Sequence, residues 1–500
     1  MNSIAIALSV FLLISSSLML ASCGHFPRPD VSSFTIEDIN NSQYDTIYLK
    51  PFNAYNYSPQ SDQSVKKQIL AVEEFMAVPF HQFRLKNGLQ VFILPRNDIP
   101  AISISAVVDA GKNHANSVDE LISPLVLKLL KQGTEKFSKS EFQFQATRLG
   151  EAMNYRLTPQ FSLLSVDILP QDLAQAMMLF SQQLAYIKPH SRALEKIIQQ
   201  QLLENKLAQS SGFYWAKLRF YQNNYPKNHP YFSQQPDSRK IKNISQQQLL
   251  GFYQQKYVPE NSRLILVGDV DVDEAKAIIV SQFAHWQTAD VKTPDIDYDA
   301  VFEINNRSSR IDLINRKGAQ QANILYGAVT VVGNSPDKTV LDMIATLLGG
   351  GPSSRLFADL REQKGLAYSV SAHQVEGRYR SPFFIQTSVA HEKVAQTIIG
   401  IKNHIDYLCR NQMDERELEQ LKQQMTGEYL FQFQSNKQWR NEKIKQLEMD
   451  LDEEYIAQRI RQIQATSGQQ ILAVMNRHLC NQHQFIVVGE KNKLTENFHR

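Results

Sequence analysis

At about 100–200 residues per domain, 500 residues allow two to four domains, each large enough to bury a core. A composition of 43% hydrophobic and 21% charged residues excludes a disordered chain. Lys+Arg at 53 against Asp+Glu at 50 leaves a net charge of +3, which excludes a nucleic-acid binder built on a concentrated basic face. Three cysteines exclude a disulfide scaffold, and there is no Cys-x-x-Cys zinc pair.

The first 22 residues differ from the rest. Ile4 to Ser22 carries no charge, and its apolar run ends in Leu20-Ala21-Ser22-Cys23. This resembles a bacterial lipobox, although the stretch before it has no Lys or Arg; an ordinary cleaved signal or a membrane anchor is the alternative. The reading predicts a signal peptide over 1–22, lipidation at Cys23, and a periplasm-facing lipoprotein of the bacterial cell envelope. Gly24, rather than Asp, after the lipidated Cys resembles lipoproteins sorted to the outer membrane. Cys409 and Cys480 are expected to be two separate half-buried thiols, a bridge between them in an oxidising periplasm being the alternative.

Residues 23–75 are polar, lack a sustained period and read as a tether that lies against the body or stays loose. The body opens with a hairpin in which Phe83 and Leu85 lead through Lys86-Asn87-Gly88 to Leu89, Val91 and Ile93. Ile102 to Ala106 alternates as the next strand. A helix is predicted from about Val118 to Gln132, stopping at Gly133. A strand follows over Leu163–Leu169, then helices over Gln171–Lys206 and Gln246–Lys256, and a buried strand ends at Gly268.

That closing unit recurs. Gln248-Leu-Leu leads to Leu264-Ile-Leu-Val-Gly268-Asp269, and Gln470-Ile-Leu leads to Phe485-Ile-Val-Val-Gly489-Glu490, the two glycines lying 221 residues apart. The spacing predicts a duplicated α+β domain, with halves at 76–290 and 309–492 joined by a Pro-, Asn- and Ser-containing linker at 291–308.

Several blocks now fall in order: Lys86-Asn87-Gly88-Leu89, Gly133-Thr134, Asn228-His229-Pro230-Tyr231, Tyr257-Val258-Pro259 and Val267-Gly268-Asp269. In the second half Ser354-Arg355-Leu356-Phe357 precedes Leu360-Arg361-Glu362 and Gly365-Leu366-Ala367-Tyr368-Ser369. Over residues 80 to 490 this resembles the insulinase/pitrilysin (processing-peptidase-like) zinc metallopeptidase family. The resemblance implies two homologous α/β-sandwich halves forming a clamshell around an unfolded peptide. Active members carry His-x-x-Glu-His on a first-half helix, where two His bind zinc and the Glu polarises water. Here Pro124, Leu127 and Lys128 fall at those positions, and no two of the 12 histidines are three or four residues apart. The third ligand would fall near Glu195 to Glu204, which read as ordinary helix-surface residues. His373 and Glu376 do not share a helix face, and His229 reads as a turn or packing residue.

The second-half block is intact. Ser353 and Ser354 are N-cap candidates for a helix through Lys364, with Gly365 at its C′ position. The resemblance gives Arg361 and Tyr368 contact with substrate and transition-state oxygen; the alternative is a helix cap and a packed tyrosine. Gly349, Gly350 and Gly351 resemble a presequence-contacting glycine loop, and Asn154 lies on an edge strand where peptide would add, with Tyr155 narrowing that edge. The expected function is therefore a non-catalytic, substrate-binding subunit of a heterodimeric periplasmic peptidase. It would have no cofactor of its own, zinc being in a His-x-x-Glu-His paralogue; its other partners would be an unfolded peptide and, through Cys23, a membrane, and no nucleic acid. The rivals are a structural or chaperone-like lipoprotein and an active metallopeptidase with unconventional ligands.

Overall fold

A computed structural model describes residues 31–35, 79–112, 119–190, 192–289, 310–481 and 484–498. The predicted signal peptide, Cys23 and the linker at 291–308 lie outside the described residues.

The strands are β1 (Val31–Thr35), β2 (His81–Arg84), β3 (Gln90–Pro95), β4 (Ile102–Val108), β5 (Asn154–Leu157), β6 (Ser162–Ile168), β7 (Ser262–Gly268), β8 (Arg310–Asn315), β9 (Ala322–Val329), β10 (Ala367–Gln374), β11 (Pro382–Val389) and β12 (Gln484–Gly489). The first-half helices are α1 (Asp119–Leu129), α2 (Lys139–Thr147), α3 (Leu173–Ala185), α4 (Ala193–Gln209), α5 (Gly212–Asn224), α6 (Ser238–Lys242), α7 (Gln246–Lys256) and α8 (Val272–Phe283). Those of the second half are α9 (Lys338–Gly349), α10 (Val394–Arg410), α11 (Glu415–Gln432), α12 (Asn436–Met449), α13 (Tyr455–Ala465), α14 (Gly468–His478) and α15 (Lys491–Phe498), with a π-helix at Phe357–Gln363.

Two six-stranded sheets have the orders β2-β3-β7-β4-β6-β5 and β1-β8-β12-β9-β11-β10. Position by position they match: the second and third strands are parallel, and every other pairing is antiparallel. The repeated sequence unit is α7–β7 and α14–β12. Each of its helices opens with a capping box, Ser245 with Gln248 and Ser467 with Gln470, in which side chain and backbone satisfy two otherwise orphaned N–H groups.

The first position of each sheet is filled differently. In the first half β2 reaches β3 through the Asn87-Gly88 turn, with Leu85 and Leu89 closing the hairpin by a 2.9 Å backbone bond. In the second half the same place is taken by β1, which pairs antiparallel with β8 from far upstream. The polar segment read as a tether thus contributes a strand. Its five residues gave no signal because an edge strand buries little and needs no long apolar period.

The central strands are buried on both faces; every residue of β4 and of β12 is buried. One face of each sheet packs on helices of its own half. The other face is covered by the opposite half. Phe220 and Ala216 of α5 lie on Leu325, Phe384 and Ile486 of the second sheet. Trp439 and Ile444 of α12, with Ile456 and Ile460 of α13, lie on Phe92, Val107 and Ile265 of the first. Each exchange carries an ion pair: Arg219 on α5 donates to the fully buried Asp312 of β8 at 2.8 Å, and Arg440 on α12 donates to Asp167 of β6 at 2.9 Å. Truncating a buried side chain such as Trp439 typically costs about 3–5 kcal/mol, so this seam is stabilised chiefly by apolar burial.

The separate-thiol expectation fails. Cys409, in the last turn of α10, and Cys480, two residues beyond α14, form a disulfide with Cα atoms 5.9 Å apart. Helix packing brings together two positions 71 residues apart, which sequence separation alone could not reveal. Closing a loop of that length removes roughly 4 kcal/mol of denatured-state entropy. The Cys409→Ala/Cys480→Ala variant should therefore keep its fold but unfold at lower denaturant. Denaturant titration with and without reductant checks this, and identical midpoints for the oxidised and reduced wild type would refute it.

Candidate functional site

In the first half the degenerate positions lie on α1. Leu127 is buried, while Pro124 and Lys128 are half-buried. The Lys128 ammonium sits 2.8 Å from a carboxylate oxygen of Glu204 on α4. Glu204 is exposed on α4, as read from the sequence, and its surface position carries this ion pair. The family resemblance would place a third ligand near Glu195 to Glu204, and Glu204 of that range is the one that meets the Lys128 ammonium. The clue in the sequence was the charge swap itself: a cation where a His belongs, opposite a carboxylate. A zinc ion does not fit this set, because a protonated lysine has no lone pair, leucine has no donor, and one carboxylate remains. Among the described residues no group of three or more His, Cys, Asp or Glu is placed to hold a metal ion.

Around this pair the site is closed by polar contacts. The Lys131 ammonium lies 4.2 Å from the Tyr155 ring centroid. Its pKa is lowered by burial and then by Lys128. Gln183 donates to the Tyr155 hydroxyl at 2.5 Å and to the Leu130 carbonyl at 3.0 Å. Burial raises the tyrosine to about 12. Tyr155 on edge strand β5 is thus folded back onto α1, and Asn154 beside it is exposed and paired with Ser165 of β6.

In the second half the signature block forms the π-helix Phe357–Gln363 rather than a plain α-helix. π-Helical turns cost hydrogen-bond geometry and recur at functional sites. Ser354 does not cap it by accepting an N–H; its hydroxyl donates to the Gly351 carbonyl. The helix ends as expected at Gly365, whose φ of +57° is left-handed, while Leu366 N–H returns to the Leu360 carbonyl at 2.7 Å. Asp359 anchors the inner side. Burial would push its pKa up, but the hydrogen bonds from His404 and Lys364 outweigh this and hold it below the ordinary carboxylate value.

Arg361 and Tyr368 are brought together. The guanidinium carbon lies 4.7 Å from the Tyr368 ring centroid and 4.7 Å from that of Phe357, so it is sandwiched between two rings. Tyr368 is 80% exposed. It sits where the β10–β11 register slips between Ala367 and Val370, a bulge that turns consecutive side chains outward. The packed-tyrosine alternative therefore does not describe it.

The glycine run has a local cause. A Cβ on Gly349 would meet the Ala372 backbone N at 2.3 Å, so α9 needs a glycine to end against β10; Gly350 is similarly close to Thr346, and Gly351 has φ +144°. His229 accepts from the Tyr231 N–H at 3.0 Å within a turn, as expected of a packing residue, and burial lowers its pKa to about 4. His373 packs on Phe384 and Glu376 pairs with Lys445, so these two do not converge.

Residues 243–425 match the family model described as the Peptidase M16 inactive domain. The chain is 24% identical over 378 residues to an uncharacterized zinc protease of Rickettsia bellii, covering 73% of this chain and 84% of that one. It is 21% identical to the zinc protease PqqE of Helicobacter pylori, covering 72% and 81%. Among solved structures, a peptidase M16 inactive domain from Pseudomonas fluorescens superposes with a TM-score of 0.73 at 20% identity, covering 82% of this chain and 98% of that one. The first half of the periplasmic protease PqqL from Escherichia coli superposes with 0.67 at 15% identity, covering 84% and 93%. With the order of the sequence blocks and the duplicated sheets, these matches support an insulinase/pitrilysin-like M16 peptidase family member, here without a His-x-x-Glu-His motif.

Proposed function

We propose that this chain is the non-catalytic, substrate-binding subunit of a heterodimeric periplasmic peptidase, held to a membrane through Cys23. The observation that carries the reading is the Arg361–Tyr368 pair, a half-buried arginine of the π-helix against an exposed tyrosine of the bulged edge strand β10, in a chain whose own metal positions are filled by Lys128 and Leu127. Guanidinium and phenol are both donors, able to stabilise negative charge on a peptide carbonyl oxygen without any metal of their own. Two further observations support it. The chain is similar in fold to one half of a periplasmic protease, which suits a protein that completes a second chain. Its disulfide suits an oxidising compartment. A scaffold with no proteolytic role would have no use for an 80% exposed tyrosine held against a guanidinium.

Three expected outcomes follow from this assignment. Tyr368→Phe removes only an exposed hydroxyl, so it should leave folding and partner binding unchanged while slowing peptide hydrolysis by the co-purified complex roughly 100- to 1000-fold. Arg361→Lys should also slow it, since the planar fork is lost; full activity from the double variant would leave the scaffold reading in place. The wild-type chain alone should carry less than ~0.2 equivalents of zinc by elemental analysis. Pro124→His/Leu127→Glu/Lys128→His, which restores the ligand pattern opposite Glu204, should approach one equivalent; stoichiometric zinc in the wild type would overturn the non-catalytic assignment. Cys23→Ala should move the protein from the membrane to the soluble fraction or leave its signal uncleaved, and a wild-type protein that incorporates no labelled palmitate would refute the anchor.

A further inference from the structure

Arg361 and Tyr368 meet across a junction, a π-helix running into a bulged strand, and the contact depends on the register of that helix. One π rung is the 3.0 Å bond from the Lys364 N–H to the Asp359 carbonyl, five residues back. Each residue of an α-helix turns it by about 100°, so a turn closed over four residues instead of five would displace the side chains beyond it by about one such step. Arg361, inside Phe357–Gln363, would then point in a different direction relative to Tyr368 on the strand that follows.

The two residues of that rung are joined a second time, through their side chains. The Lys364 ammonium lies 2.9 Å from the Asp359 carboxylate. Neighbours on one face of an α-helix are three or four residues apart, so a pair five apart matches the π turn and not the α turn. The carboxylate is buried, and its second anchor comes from α10, where His404 Nε2 donates to it at 3.2 Å. His404 is 3% exposed and its Nδ1 has no hydrogen-bond partner, so Asp359 is its one polar contact among the described residues. Gly400 lies one turn earlier on the same face of α10. A Cβ there would meet Leu360 Cδ2 at 2.6 Å, so the missing side chain is what lets α10 approach the π-helix this closely.

We infer that Asp359, Lys364 and His404 are positioning residues: they hold Phe357–Gln363 in its π register and thereby keep Arg361 against Tyr368. Their effect on hydrolysis rests on the substrate-binding reading above; their effect on the register does not.

The register is read on the full mature chain alone, with 3-fluorotyrosine in place of Tyr368 and the fluorine chemical shift as the signal. Arg361→Ala gives the reference position of the unstacked ring. His404→Leu keeps an apolar side chain and removes the donor, so it should move the line most of the way to that reference. His404→Gln, whose amide N–H still reaches Asp359, should leave the line near its wild-type position. Lys364→Met, at a half-buried position where folding is not at stake, should move it part of the way. In the co-purified complex with unlabelled Tyr368, His404→Leu should lower kcat roughly 10- to 100-fold with KM nearly unchanged, and His404→Gln should restore it. A line that stays in place in a folded His404→Leu protein, or that moves equally in His404→Gln, would make His404 a packing residue and overturn the inference. If His404→Leu does not fold, Lys364→Met decides, and an unmoved line there overturns the inference. A line unmoved by Arg361→Ala overturns it as well, because the two side chains would not be in contact. Shifted lines with unchanged rates would leave the positioning residues standing and overturn the catalytic use of the Arg361–Tyr368 pair.

Discussion

Each sheet of this protein is apolar on both faces, and each half owns the helices to cover only one of them. The remaining face of the first sheet is closed by α12 and α13, and that of the second by α5. Exposed, either face would be a continuous patch of Val, Ile, Leu and Phe, which folded soluble chains avoid. The two halves therefore cannot be treated as independent domains that happen to touch. The cross-seam pairs Arg219–Asp312 and Arg440–Asp167 add register to an interface whose energy is hydrophobic, since a buried pair fixes geometry better than it adds stability.

That interlock explains where the chemistry can sit. With both sheet faces occupied, the free surface left to each sheet is the edges of its terminal strands. β5 and β10 are two of those strands, and Asn154, Tyr155 and Tyr368 lie on them. In the first half Tyr155 folds back and Lys128 meets Glu204, so the position is self-satisfied. In the second half Tyr368 projects outward against Arg361. The two copies have thus diverged: the first-half position is filled by its own ion pair, and the second-half strand turns a tyrosine to the surface.

Much of this was legible in the sequence because it is local. The Asn87-Gly88 hairpin, the two capping boxes and the repeated apolar strand before Gly268 and Gly489 are written in adjacent residues, and the family block around Arg361 and Tyr368 could be found by order alone. What escaped was long-range. The Cys409–Cys480 bond joins the ends of two helices, and Lys128–Glu204 joins residues on different helices 76 positions apart. The π-helix escaped for another reason: an extra residue in a helical turn leaves the composition unchanged, and only the hydrogen-bond ladder reveals it. β1 was missed because its partner, β8, follows by more than 270 residues.

The placement of β1 has a mechanical side. Antiparallel pairing of Val31–Thr35 with Arg310–Ile314 makes the segment upstream of residue 31 continuous with the second sheet, not with the first half that follows it in sequence. Tension applied at the amino terminus enters the body through that ladder. Five consecutive residues in register share such a load when it runs along the strand, whereas a pull across the strand would open the rungs one after another. A load applied at Val31 therefore reaches the second sheet through five paired residues of one short strand.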